Sequence, residues 1–206
     1  MDIISELNGK RILIWGYGRE GKATEHFLQR CVKPASVDIF EGKKEEIDED
    51  DYDFIIKSPG IVMNEENPKY TSETELFLQQ FRDQVIGITG TKGKSTTSAM
   101  LYTVLKACSS RPVLLLGNIG QPCLDYFEEV TEDTIIVYEM SCHQLAHTNV
   151  SPHIAIFLNL YEEHLDYYGT VEKYFEAKSH IAAYQKSGDY FFVGENVPQI
   201  DTKVQR

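Results

Sequence analysis

One junction constrains the fold more than any other stretch. An apolar run at residues 84–88 leads directly into Gly87-Ile-Thr-Gly-Thr-Lys-Gly-Lys-Ser95, and helical spacing resumes across 95–107. Strand, glycine-rich turn and helix in that order are the opening of a parallel βαβ unit, which commits the chain to an α/β architecture. Within the turn, Gly90 and Gly93 let successive backbone N–H groups face inward around Thr91 and Lys92, while Lys94, Ser95 and Thr96 open the helix at its positive end. Such a cradle fits the phosphates of ATP, with Lys94 reaching the β- and γ-phosphates and the Ser95 hydroxyl placed for Mg²⁺. Five residues rather than four separate Gly87 from Gly93, so the loop is a variant of the strict P-loop pattern.

An earlier βα series precedes it. Residues 10–15 read as a strand that stops at Gly16, Tyr17 and Gly18, within Gly16-Tyr-Gly-Arg-Glu-Gly21, and helical spacing follows over 22–29. Residues 36–40 read as a second buried strand and 53–56 as a third, ending at Ser58-Pro-Gly60. The acidic stretch 41–53 between them is a solvated helix or loop. A GxGxxG on a strand-to-helix turn suits a dinucleotide, with Glu41 where a ribose-binding carboxylate would sit. Two nucleotide sites then mean either a redox cofactor plus ATP or a nucleotide-linked substrate plus ATP, and the turn leaves both open.

Because the pattern restarts near residue 83, the expected domains are 1–83, Rossmann-like, and 84–206, an incomplete P-loop-type parallel-sheet domain. Further strands are expected at 113–116, 134–138, 153–158 and 190–193, with helices at 74–81, 122–129 and 171–183. The series stops at Asp201-Thr-Lys-Val-Gln-Arg206 without a closing helix, which suggests truncation.

A net charge of −12 over 206 residues disfavours nucleic acid and anionic membrane as partners, so any phosphate must be held locally. No stretch approaches the roughly 18 to 20 apolar residues of a membrane span, and the start lacks a signal peptide's basic and apolar regions. The cytoplasm is therefore the expected compartment. Cys31, Cys108, Cys123 and Cys142 form no CxxC pair, so reduced thiols are expected and a structural zinc site is not.

Three polar positions downstream could carry chemistry. Glu139 ends the strand 134–138, where a carboxylate beside a phosphate loop can ligate a metal. His164, in Asn159-Leu-Tyr-Glu-Glu-His-Leu-Asp166, could ligate one through its neutral ring, although a lone histidine is more often structural. Lys178 lies on the helix 171–183, where a lysine is ordinarily a solvated or paired surface charge.

Taken together, Ile14-Trp-Gly-Tyr-Gly-Arg-Glu-Gly21, Ser58-Pro-Gly-Ile61, Glu73-Thr-Glu-Leu-Phe77, the 87–96 loop, Gly117-Asn-Ile-Gly120, Glu139-Met-Ser-Cys-His-Gln-Leu145 and residues 159–166 resemble the Mur ligase family. Within it they are most similar to the member that adds D-glutamate to UDP-N-acetylmuramoyl-L-alanine. The resemblance implies an ATP-dependent amide ligase of peptidoglycan precursor synthesis, monomeric at full length, that works through an acyl phosphate. It implies UDP binding by Gly16, Tyr17, Gly18, Glu41, Ser58 and Gly60, a contact from Asn118 to the muramoyl part, and ATP binding by residues 90–96. Ser95 and Glu139 would hold one Mg²⁺, and His164 with a carbamylated Lys178 a second; Lys94, Lys178 and His164 would be catalytic. Family members are longer and carry a C-terminal domain for the incoming amino acid, so the chain alone is expected to be inactive. The alternatives are another Mur-type ligase or a non-catalytic module for a UDP-sugar or ATP. Lys92 stands where the family usually has Asn, Cys142 and His143 replace a Ser and an aromatic residue, Glu163 replaces an Asp and Tyr167 an Arg.

Overall fold

The computed structural model describes residues 2–61 and 67–202; the last four residues of the 201–206 stretch lie outside the described residues. Contacts divide the chain into two units, Met1–Gln80 with Pro122–Glu128, and Phe81–Gln121 with Glu129–Arg206. The first series thus ends a few residues before position 83, and it regains a short piece of chain from within the second.

In the first unit α1 (Ile3–Leu7) precedes β1 (Arg11–Trp15), α2 (Arg19–Cys31), β2 (Ser36–Phe40), β3 (Phe54–Lys57), β4 (Tyr70–Thr71) and α3 (Glu73–Phe81). The strands are all parallel, in the order β2-β1-β3-β4. β1 is central and buried on both faces, which is why it reads as an unbroken apolar run. β2, expected to be buried, is instead the edge strand, with Ile39 43 % exposed. The acidic stretch forms two short 3-10 turns, Lys44–Glu46 and Glu49–Asp51. Residues 124–129, expected as a helix, are also 3-10. That segment docks Phe127 on Phe27, ring centroids 4.7 Å apart, and its Leu124 N–H donates to Glu73 Oε1 at 2.9 Å.

Glu73 is 2 % exposed. Burial first, and then the neighbouring charge of Glu20, push its carboxyl well above the usual carboxylate range. A carboxyl whose folded pKa is raised keeps its proton in the native state after the unfolded chain has lost it. Its contribution is therefore fully present below the unfolded value and is lost as pH rises from about 4.3 toward the folded value. Glu73→Gln, which mimics the protonated form, should match the wild type near pH 4 and gain on it as pH rises, by at most about 1.4 kcal/mol per pH unit. Urea denaturation at stepped pH checks this; parallel stability curves would refute it.

The second unit contains β5 (Val85–Thr89), α4 (Lys94–Cys108), β6 (Val113–Gly117), β7 (Ile135–Glu139), α5 (Cys142–Leu145), β8 (Ile154–Phe157), α6 (Leu165–Tyr168), α7 (Val171–Ala183) and β9 (Tyr190–Val193). Its sheet is again all parallel, in the order β6-β7-β5-β8-β9. Both sheets share one logic. The chain adds strands on one side of the first strand of each series, then crosses to the other side. The carboxyl ends of β1 and β5 are consequently the topological switch points, where open α/β sheets form crevices for ligands. Among the described residues no helix is long and apolar enough to cross a membrane.

Candidate functional site

In the first unit Gly16, Glu41 and Ser58, three of the expected substrate residues, follow the carboxyl ends of adjacent strands. Trp15 is in register with both Phe40 and Lys57, so Gly16, Glu41 and Ser58 each stand one residue past an aligned strand end. Gly16 has φ +90°, and a Cβ there would lie 2.7 Å from Ser58 Oγ. The Ser58 hydroxyl donates to the Gly16 carbonyl at 2.9 Å, tying the two turns together. Gly21 is needed for close approach, because a Cβ on it would lie 2.2 Å from the Gly16 carbonyl oxygen. Gly18 has open space around it. Tyr17 is hydrogen-bonded through its hydroxyl to Glu25, which raises its pKa. Glu41 and Gly60 are exposed. An open depression of about 270 Å³ elsewhere in this unit is lined by Asp38, Glu46, Asp48 and Asp51, a surface that repels phosphate.

In the second unit Gly87 lies inside β5 rather than in the loop, where a Cβ would come within 2.6 Å of Pro152 Cγ. The loop proper begins at Gly90, φ +152°, and closes at Gly93, φ +82°, the left-handed residue that caps α4. Asn159 pins it from β8's end: its carbonyl and Oδ1 each accept at 2.9 Å, from Thr91 N–H and Lys92 N–H. The Lys92 ammonium bonds Glu163 at 2.8 Å, which lowers the Glu163 pKa. Ser95 and Thr96 are exposed on the first turn of α4.

Two lysines converge on a single acceptor. Lys94 Nζ and Lys178 Nζ each lie 2.9 Å from the Gly90 carbonyl oxygen, and Lys178 also reaches Thr89 Oγ1 at 3.3 Å. Lys178 is 1 % exposed, contrary to the solvated charge expected on that helix. Burial pulls its pKa down to about 8, and nearby Lys94 acts in the same direction. The cause lies in the helix's own pattern: α7 buries Tyr174, Ala177, Lys178, Ile181 and Ala182, a stripe with helical period in which the lysine occupies a core position.

Glu139 ends β7 in register with Ile88 and Gly117 and is 0 % exposed. Its Oε1 accepts from Asn118 Nδ2 at 2.6 Å, while its buried Oε2 has no hydrogen-bond partner. A buried carboxylate oxygen without a donor costs several kcal/mol at most sites, and a hard divalent cation is the partner that suits it. The residues therefore fit a Mg²⁺ beside the loop. Asn118, the residue expected to contact the muramoyl part, donates to Glu139 from the turn that follows β6. His164 has φ +57° and is exposed on the segment that follows β8.

Residues 88–206 match the Mur ligase middle domain family. The chain belongs to the Mur ligase family. Relatives along most of its length are named UDP-N-acetylmuramoylalanine–D-glutamate ligase. That of Clostridium kluyveri is 35 % identical over 82 % of this chain and 38 % of its own length. That of Oenococcus oeni is 30 % identical over 94 % and 48 %, and that of Streptococcus pyogenes 32 % over 95 % and 50 %. The chain spans about half the length of the curated relatives it matches. The crystal structure of UDP-N-acetylmuramate:L-alanyl-γ-D-glutamyl-meso-diaminopimelate ligase from Neisseria meningitides shares the fold, with a TM-score of 0.55 at 16 % identity over 90 % of this chain and 71 % of that one. In this Mur ligase chain the sequence reading missed the role of Asn159, whose pinning of the loop depends on a strand-end neighbour 67 residues away.

Proposed function

We propose that this chain forms the UDP-sugar-binding and ATP-binding portion of a cytoplasmic amide ligase that joins D-glutamate to UDP-N-acetylmuramoyl-L-alanine. The observation that carries this reading is the pair of glycine turns, each built at a switch point, in a chain 30–35 % identical to ligases of that name. The Gly16 and Ser58 turns with Glu41 would receive the UDP part. In the second unit, Gly90 to Thr96 would enclose the ATP phosphates. The substrate carboxylate attacks the γ-phosphorus and ADP leaves; the amine of D-glutamate then attacks the acyl carbon, losing a proton, and phosphate departs.

Lys94 would stabilise the transferred charge by position and electrostatics. Ser95 with Glu139 would hold one Mg²⁺, and His164 with carbamylated Lys178 a second; the ions would neutralise phosphoryl charge. Carbamylation suits the geometry, since it converts two like charges sharing the Gly90 carbonyl into an opposite pair. Isothermal titration with UDP-N-acetylmuramoyl-L-alanine, with NADH as control, tests the reading. Binding of the UDP-sugar alone is expected. Binding of NADH with silence from the UDP-sugar would overturn it.

A further inference from the structure

We propose that Cys142, His143 and His164 form a binding site for a thiophilic divalent cation, Zn²⁺ by preference, which shares His164 with the second Mg²⁺ site proposed above and differs from it in its thiolate and second imidazole. Each residue offers one ligand atom, and these atoms lie within 4.8 Å of one another. Shifts of a fraction of an ångström to an ångström bring such a trio to bond lengths of about 2.0 to 2.3 Å around one ion. A thiolate and two imidazoles are borderline-soft donors, which favour Zn²⁺ and Co²⁺ and match hard, oxygen-seeking Mg²⁺ poorly. Three protein ligands leave the fourth tetrahedral position to water or to an incoming group.

The surroundings hold the ligands in place. Cys142 and His143 open α5, which Ser141 fixes through a capping box with Gln144. The His143 ring stacks on Tyr168 at 5.7 Å and meets the edge of Tyr167 at 4.3 Å. The Tyr168 hydroxyl lies 3.4 Å from His143 Nδ1, the kind of outer contact that sets the orientation of a ligating ring. His164 lies 22 residues beyond Cys142 in the sequence and meets His143 edge-on at 5.4 Å. It is the one non-glycine residue with positive φ among the described residues. Strain of that kind persists where the surroundings impose it, commonly at a ligand site. With no CxxC pair, the adjacent Cys142 and His143 make no recognisable zinc spacing by themselves, and the third ligand, His164, is brought to them only by the fold.

Cobalt titration of the metal-free chain tests the proposal. One equivalent of Co²⁺ should produce a thiolate-to-cobalt charge-transfer band and the intense visible bands of tetrahedral cobalt. Zn²⁺ should abolish both, and a large excess of Mg²⁺ should leave them. Cys142→Ser should remove the charge-transfer band and weaken binding by about 100-fold or more, beyond the 10- to 100-fold typical of outer-shell changes. His164→Ala, on an exposed residue, should weaken binding comparably with an unchanged melting curve, so a folding defect in the cysteine variant would not decide the matter. Cys108→Ser should behave as wild type. No charge-transfer band, displacement by Mg²⁺, or a signal that follows Cys108 instead of Cys142 would overturn the proposal.

Discussion

Lys94→Ala should weaken ATP binding by about 10- to 150-fold, the range for losing hydrogen bonds to a charged group, while leaving AMP affinity unchanged. Lys94 lies at the mouth of the loop, bonded to the carbonyls of Gly90 and Thr91 at 2.9 and 3.1 Å. Those contacts hold the ammonium where β- and γ-phosphates would arrive, so the loss should scale with phosphate number. The remaining loop geometry rests on Gly93 and Asn159, which the substitution does not touch, and the Gly90 carbonyl keeps its 2.9 Å bond from Lys178, so the melting temperature should move little. Titration of the variant with ATP, ADP and AMP is the check. An equal loss for all three nucleotides would mean that the loop had been deformed rather than stripped of a charge.

Gly117→Ala should be strongly destabilising to the second unit. Gly117 has φ +100°, and a Cβ there would lie 2.2 Å from Tyr138 Cε2 and 2.3 Å from the Glu139 carbonyl oxygen. Neither neighbour can retreat: Tyr138 and Glu139 are fully buried, and the Glu139 carbonyl is held by the Asn118 N–H at 2.9 Å. Backbone strain of about 1–3 kcal/mol and overpacking of about 1–3 kcal/mol add to a loss of roughly 2–6 kcal/mol. Gly18→Ala, in open space, is the control and should stay within about 0.5 kcal/mol of wild type. Chemical denaturation of the two variants separates these outcomes. If both behaved alike, the tight approach at Gly117 would not be what the fold requires.

The strands were legible because parallel strands covered on both faces leave apolar runs, and the glycine turns because tight junctions admit few other residues. Much of what escaped the reading had no periodic signature. α1, β4, α5 and α6 span five, two, four and four residues, too short for a period to register. β2 was misread because a local apolar pattern cannot distinguish an edge strand, less covered by its neighbours, from a buried one. Lys178 was treated as a surface charge on residue type, although positions 174, 177, 178, 181 and 182 trace the buried face of α7. The 3-10 form of residues 124–129 depends on Phe27 and Glu73, distant partners invisible to a local window. Of the site, the phosphate loop and Glu139 could be read, whereas the convergence of two lysines on Gly90 required the folded backbone.

The excursion of Pro122–Glu128 into the first unit has a practical consequence for anyone dissecting the molecule. Because the polypeptide passes between units at three places, no single cut releases either half intact. A piece ending near residue 83 would lack the Leu124 amide that Glu73 accepts from and the Phe127 ring that covers Phe27. Its complement would carry that same apolar segment with nothing of its own to bury it. Separate expression of the two halves would therefore call for grafting a short stand-in for residues 122–128 onto the first and a polar bridge across the gap in the second.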